Sequence, residues 1–254
     1  MTQGAIVLIT GAASGMGHLA LQRALGRGQR VAAWDLNIEP LSSYAKDDRV
    51  RVTQVDVSDA DAVSQAVDAL EEEWGPVDQV WSAAAIMPLG EALEQPLALQ
   101  KKIMDINYGG LINLAQATLP KMLARGRGSF VSFASLAGWI PAIYIGAYNA
   151  SKFATVAYTE VLHHETRGRG VQMVCVCPPA VNTPLLDQAR DTVWPKLFNL
   201  VPPIPPEKVL DAIDKALANG RFWVFPSLMT RIALALRRWF PNFSWWIAHQ
   251  VEQR

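Results

Sequence analysis

Tyr148 and Lys152 stand four residues apart in the stretch GAYNASKFA, residues 146–154. On a helix the two side chains would lie one above the other. Free tyrosine titrates near pH 10, too high for a base at neutral pH. An ammonium group one turn away stabilises the phenolate and lowers that value. Such a pair could take a proton from an alcohol and return it to a ketone. The spacing alone also fits a solvated helix face or two packed neighbours, so other residues must decide.

A second group with chemical meaning lies near the start. Residues 10–17 read TGAASGMG, with Gly11, Gly15 and Gly17 around Ser14 and Met16. The turn follows an apolar run and opens a helix-like segment. Glycine lets the backbone turn tightly and approach a pyrophosphate, whose charge a helix N-terminus favours. The next apolar run ends in Asp35, followed by Leu36. An acid there can bond both ribose hydroxyls of an adenosine and repels a 2′-phosphate. No Arg or Lys occurs in AWDLNIEP or in the glycine turn, which favours NAD over NADP.

Positioning these residues takes a regular frame. Strand-like apolar runs fall at 5–10, 30–35, 51–55, 77–83, 128–134 and 171–177. Helix-like segments fall between them at 17–26, 59–74, 97–123 and 148–167, with another at 207–218. Ala62, Ala66, Ala69 and Leu70 are expected on one side of the 59–74 helix. The rhythm predicts an α/β fold, a doubly wound parallel sheet with helices on both faces. Runs without alternation fit strands buried on both sides. Residues 185–206 break the rhythm, with four prolines after Val201 and a lone Trp194. A long irregular segment is either functional or mobile, and as a functional segment it would cover a substrate. No linker or repeat divides the 254 residues, so one domain spanning 1–254 is expected.

Composition removes several classes. The net charge is zero, so the basic field of a nucleic-acid binder is missing. Cys175 and Cys177, two apart in VQMVCVCP, read as reduced core residues. No His, Cys or carboxylate cluster has metal-ligand spacing, and no metal is expected. The N-terminus lacks a cationic start and a cleavage-like site, and no uncharged apolar run reaches 18 residues. A cytoplasmic protein is the expectation.

With the glycine turn, Asp35 and the Tyr148/Lys152 pair in register, residues 5 to about 220 resemble the short-chain dehydrogenase/reductase family. The family's motifs occur in order: Gly11, Gly15 and Gly17, then Asn107 in MDINYGG, Ser135 in FASLAG, and Tyr148 with Lys152. The resemblance implies a Rossmann-type sheet of about seven strands, the seventh at 222–225. It implies that Asp56 and Val57 lie near the adenine, and that Val181 and Thr183 contact the nicotinamide carboxamide. It gives Ser135 the substrate oxygen, Lys152 the nicotinamide ribose, and Asn107 a water that links Lys152 to solvent. It also implies a homodimer or homotetramer through helices around Leu111 and residues 153–164. Two departures stand out. Ser82-Ala83-Ala84-Ala85 replaces the usual Asn-Ala-Gly, so the asparagine brace is lost or passed to Ser82. Pro178-Pro179 replaces Pro-Gly and removes a backbone donor. Ala83, Ala84 and Pro178 are still expected along the cofactor.

Together these readings give an NAD(H)-dependent oxidoreductase with Tyr148 as acid/base. The loop 138–145 is apolar, and Trp139, Ile140 and Tyr144, with Leu185 and Trp194, are expected to line a site for a bulky hydrophobic secondary alcohol or ketone. A reductase of a membrane-borne lipid carbonyl is the alternative, and a non-catalytic NAD-binding scaffold is another. Residues 227–254 form an amphipathic extension rich in Trp and Arg. Met229, Ile232, Ala233, Leu236, Trp239 and Phe240 would share one face. Docking of that face on the protein is favoured over peripheral membrane contact.

Overall fold

The computed structural model describes residues 4–200 and 202–253. The N-terminal residues 1–3, Val201 and Arg254 lie outside the described residues. Apolar runs become β1 (Ile6–Thr10), β2 (Arg30–Asp35), β3 (Val50–Gln54), β4 (Gln79–Ser82), β5 (Gly128–Phe133), β6 (Val171–Val176) and β7 (Trp223–Val224). They pair in parallel in the order β3-β2-β1-β4-β5-β6-β7. Period-two alternation sends Val7, Ile9, Val31 and Phe133 to one face and Ile6, Leu8, Trp34 and Phe130 to the other. Both sets are buried, as two covered faces require.

The first face is covered by α1 (Gly15–Gly26) and α7 (Pro206–Ala218), through Leu21, Val209 and Ile213. The second is covered by α2 (Ala60–Trp74) and by α4 (Gly110–Arg125), which follows α3 (Leu97–Met104). In α2 the Asp59 side chain caps Ala62 N–H at 3.0 Å. The buried stripe of α2 is Val63, Val67 and Leu70. The expected stripe through Ala62, Ala66 and Ala69 is displaced, because the larger valines gain more by burial.

Residues 97–123 are not one regular helix. A π turn at Asp105–Gly109 separates α3 from α4, with Gly110 N–H bonded to Asp105 C=O. After β5, α5 (Gly146–Glu165) carries Tyr148 and Lys152 on its first turns. The segment expected to be irregular contains α6 (Pro184–Arg190), started by a proline at its first position. The tail forms two helices, α8 (Leu228–Trp239) and α9 (Pro241–Glu252). No helix among the described residues is long and apolar enough to cross a membrane.

Candidate active site

Strand order reverses between β1 and β4, which opens a crevice at the carboxyl ends of the strands. The glycine turn lies there, between β1 and α1. Gly11 has φ +69°, and a Cβ on it would come within 2.9 Å of Ala84 N. A Cβ on Gly17 would meet the Gly11 carbonyl oxygen at 2.2 Å. Both close approaches demand glycine. Asp35 accepts from Ala13 N–H at 3.0 Å and from Asn37 N–H at 3.1 Å, which fixes its carboxylate beside the turn.

A cavity of about 270 Å³ runs over this turn. Gly11, Ser14, Gly15, Met16 and Gly17 line it, together with Asp35, Leu36, Asp56 and Val57. Ala83, Ala84 and Thr183 line it as well. No lysine or arginine lines it among the described residues. Bare glycine backbone, the N-terminus of α1 and the Asp35 carboxylate fit the pyrophosphate and ribose of a dinucleotide. Ile86, Ile106 and Gln188 also line this cavity. They carried no sequence signal, because they arrive from the β4 exit, the π turn and α6.

A second cavity, about 310 Å³, meets the first at Met16, Ala83, Ala85, Thr183 and Leu185. Ser135, Tyr148 and Lys152 stand on its wall, as do Pro178 and Val181. The Tyr148 hydroxyl shares a hydrogen bond with Ser135. Ser135 Oγ accepts from Ala137 N–H at 3.1 Å. Lys152 is 3% exposed; its Nζ donates to the Phe133 carbonyl at 2.8 Å and lies 5.6 Å from the Tyr148 ring centre.

Burial pushes the Tyr148 phenol up to about 12, and the Ser135 hydrogen bond only partly opposes it. Burial pulls the Lys152 ammonium down to about 8, against the pull of Cys175 and Cys177. The expectation that Lys152 lowers Tyr148 is therefore not met. The ammonium points at the Phe133 carbonyl, and desolvation of the phenol outweighs it.

Asn107 sits in the π turn and is buried. Its Oδ1 accepts from Ile86 N–H at 2.8 Å, and its Nδ2 donates to Ile86 C=O at 3.0 Å and Ser151 Oγ at 3.1 Å. The amide is thus committed to bracing the cavity wall. Through Ser151 it reaches the turn of α5 that carries Lys152. At the β4 exit, where the brace is expected to be lost or passed to Ser82, Thr10 Oγ1 accepts from Ala83 N–H at 3.1 Å and Ala84 N–H at 3.3 Å. At the Pro178-Pro179 departure, the Pro178 carbonyl still accepts from Leu136 N–H at 2.8 Å, next to Ser135.

Of the expected substrate residues, Ile140 and Leu185 line the second cavity, while Trp139, Tyr144 and Trp194 do not. Trp139 turns into the sheet edge, its Nε1–H directed at Cys177 Sγ at 3.4 Å and its ring set edge-on to Trp223. Tyr144 occupies a left-handed turn at φ 69°, and its carbonyl accepts from Gly90 N–H. Trp194 donates to Asn199 Oδ1 at 2.8 Å and packs edge-on against Phe198, which does line the cavity. The opposite wall comes from the tail: Met229, Thr230, Ala233, Leu236 and Arg237 of α8, and Ile247 of α9. Of the face expected to dock, Met229, Ala233 and Leu236 line this wall, whereas Ile232, Trp239 and Phe240 are exposed and Phe240 lies past the end of α8. Lys152 and Arg237 are the charged lining residues, with no carboxylate among them.

The model of the short chain dehydrogenase family matches residues 5–194. The chain belongs to that family, and it is an NAD(P)-dependent oxidoreductase acting on alcohols or ketones. It is 36% identical to D-threitol dehydrogenase of Mycolicibacterium smegmatis over 238 residues, covering 92% of this chain and 85% of that one. It is 30% identical to 17-beta-hydroxysteroid dehydrogenase 13 of Rattus norvegicus over 247 residues, covering 94% and 80%. In fold it is similar to a short chain dehydrogenase/reductase from Burkholderia phymatum solved in complex with NAD, with TM-score 0.85, 24% identity and 95% of each chain covered.

Proposed function

We propose that this chain is an NAD(H)-dependent oxidoreductase of bulky hydrophobic secondary alcohols and ketones, with Tyr148 as acid/base. The observation that carries the proposal is the buried Tyr148 beside the half-buried Ser135 on the wall of an apolar cavity that shares lining residues with the glycine-turn cavity. Bound nicotinamide would supply the hydride acceptor or donor. Ser135 holds the substrate oxygen by hydrogen bonding. Tyr148 Oη takes the carbinol proton in oxidation and returns it in reduction. Lys152 Nζ, donating to the Phe133 carbonyl 5.6 Å from the Tyr148 ring centre, would hold the nicotinamide ribose. The apolar wall excludes water from the exchange.

The preference for NAD rests on Asp35, held by Ala13 and Asn37, in a cavity without a cation for a 2′-phosphate. The preference for a hydrophobic substrate rests on Ile140, Leu185, Leu186, Phe198 and Leu236 around the second cavity. The names of the relatives span a polyol and a steroid and leave that choice to the cavity. Exposed Phe153 and Val161 on α5 support pairing of two copies along that helix.

The test is a homologous series of secondary alcohols with NAD⁺, followed as growth of the NADH absorbance band. Each methylene buried is worth about 0.8 kcal/mol, so kcat/KM should rise roughly fourfold per carbon until the cavity is full. A flat series, or better turnover of a polyol, would remove the hydrophobic-substrate reading.

A further inference from the structure

The helix α8 presents two faces. Inward, Thr230 is buried and Ala233, Leu236 and Arg237 line the substrate cavity. Outward, Ile232 and Trp239 are 50% and 73% exposed, and Leu228 is exposed as well. The packed neighbour α9 repeats the pattern. Its Ala248 and Glu252 are buried, and the Glu252 carboxylate accepts from Leu197 N–H at 3.0 Å. Its Phe243 and Trp246 rings face outward and stack at 5.6 Å, beside exposed Phe240. The tail therefore docks on its own domain and still shows a second apolar face. Docking explains only the first.

Two observations say what covers the second face. The first is charge. Arg231 and Arg238 are exposed beside the apolar stripe, and Glu252, the single acid in residues 227–254, is buried and hydrogen-bonded. Outward Trp and Phe rimmed by arginine match an anionic lipid surface. A second copy fits poorly, because a two-fold contact would bring arginine against arginine with no tail carboxylate to pair them. The second is continuity. Met229 lines the cavity and is itself 59% exposed, so one apolar side chain joins the cavity wall to the outer face.

We propose that the outer face of α8 and α9 docks on an anionic lipid surface, and that the Met229 lip passes an apolar substrate from that surface into the cavity. The second half rests on the hydrophobic-substrate reading; the docking half does not. The test uses the full chain with vesicles of phosphatidylcholine, with and without phosphatidylglycerol, at low and high salt. The wild type should float with the phosphatidylglycerol vesicles and release as salt rises. The double variant Trp239→Glu/Trp246→Glu should lose about tenfold or more of that binding. It should keep its turnover of a short water-soluble alcohol, since neither residue lines the cavity. With a long-chain alcohol carried in those vesicles, the same variant should turn over more slowly than the wild type. A wild type that stays off the anionic vesicles overturns the proposal. So does a wild type that forms a dimer which the variant breaks, since that assigns the face to a second copy. Vesicle binding without turnover of any hydrophobic alcohol would refute the substrate reading and the delivery step, and leave docking standing.

Discussion

Replacing Lys152 with Met should make the cofactor-free protein more stable at neutral pH while removing turnover. In the native protein the Lys152 ammonium is buried, and its pKa falls from 10.5 to about 8. Between those values the unfolded chain holds the proton more tightly than the folded one. Stability therefore rises as pH climbs through that window, and the penalty is fully present below about pH 8. The interval corresponds to on the order of 3 kcal/mol. The Met variant escapes this cost but loses the 2.8 Å hydrogen bond to the Phe133 carbonyl, worth about 1–2 kcal/mol. A net gain of about 1–2 kcal/mol at pH 7 follows, shrinking to zero or reversing near pH 10. Tyr148 and Cys175 have raised pKa values and lose stability as pH rises, but both remain in the two proteins. Urea unfolding of wild type and variant at about pH 7 and pH 10 isolates the Lys152 contribution as a difference. A variant less stable at pH 7, or a difference that does not change with pH, would refute the burial argument.

Other residues give sharper single tests. Gly17→Ala sets a Cβ 2.2 Å from the Gly11 carbonyl, so calorimetry should show about 1–3 kcal/mol lost and NADH titration a weakened site. Thr10→Val strips Ala84 N–H of its hydroxyl partner and should cost about 1–3 kcal/mol in denaturant unfolding. Asp35→Ala removes a charged acceptor at the ribose end, so kcat/KM with NAD should fall roughly ten- to a hundredfold while that with NADP holds or rises. An unchanged ratio of the two efficiencies would sink the assignment of cofactor preference to Asp35.

The sheet was legible because its signal is local. The runs IVLIT and RVAAWD are too apolar for anything but strands buried on both faces, and they appear as β1 and β2. The glycine turn and the Tyr148/Lys152 spacing were legible because close approach and helical stacking dictate residue type directly. What failed depended on three-dimensional context. Trp139 and Trp194 are apolar wherever they go, and nothing in the chain says whether an indole faces a cavity or the neighbouring Trp223 or Phe198. The Thr10 brace joins residues more than seventy apart in the chain, beyond any periodicity. For Tyr148, spacing shows that a cation is near but not where its nitrogen points. The lysine turns to Phe133, and burial then dominates.

The central claim is that Tyr148 moves the proton. Its most direct test compares wild type with Tyr148→Phe, using NAD⁺ and the best apolar alcohol of the series. The variant deletes one hydroxyl from a buried ring and leaves the glycine-turn cavity intact, so NADH affinity should stay within about twofold. NADH formation should fall by about 10²–10⁴, the usual contribution of a positioned acid/base. Turnover near the wild-type rate with NADH binding preserved would contradict the account.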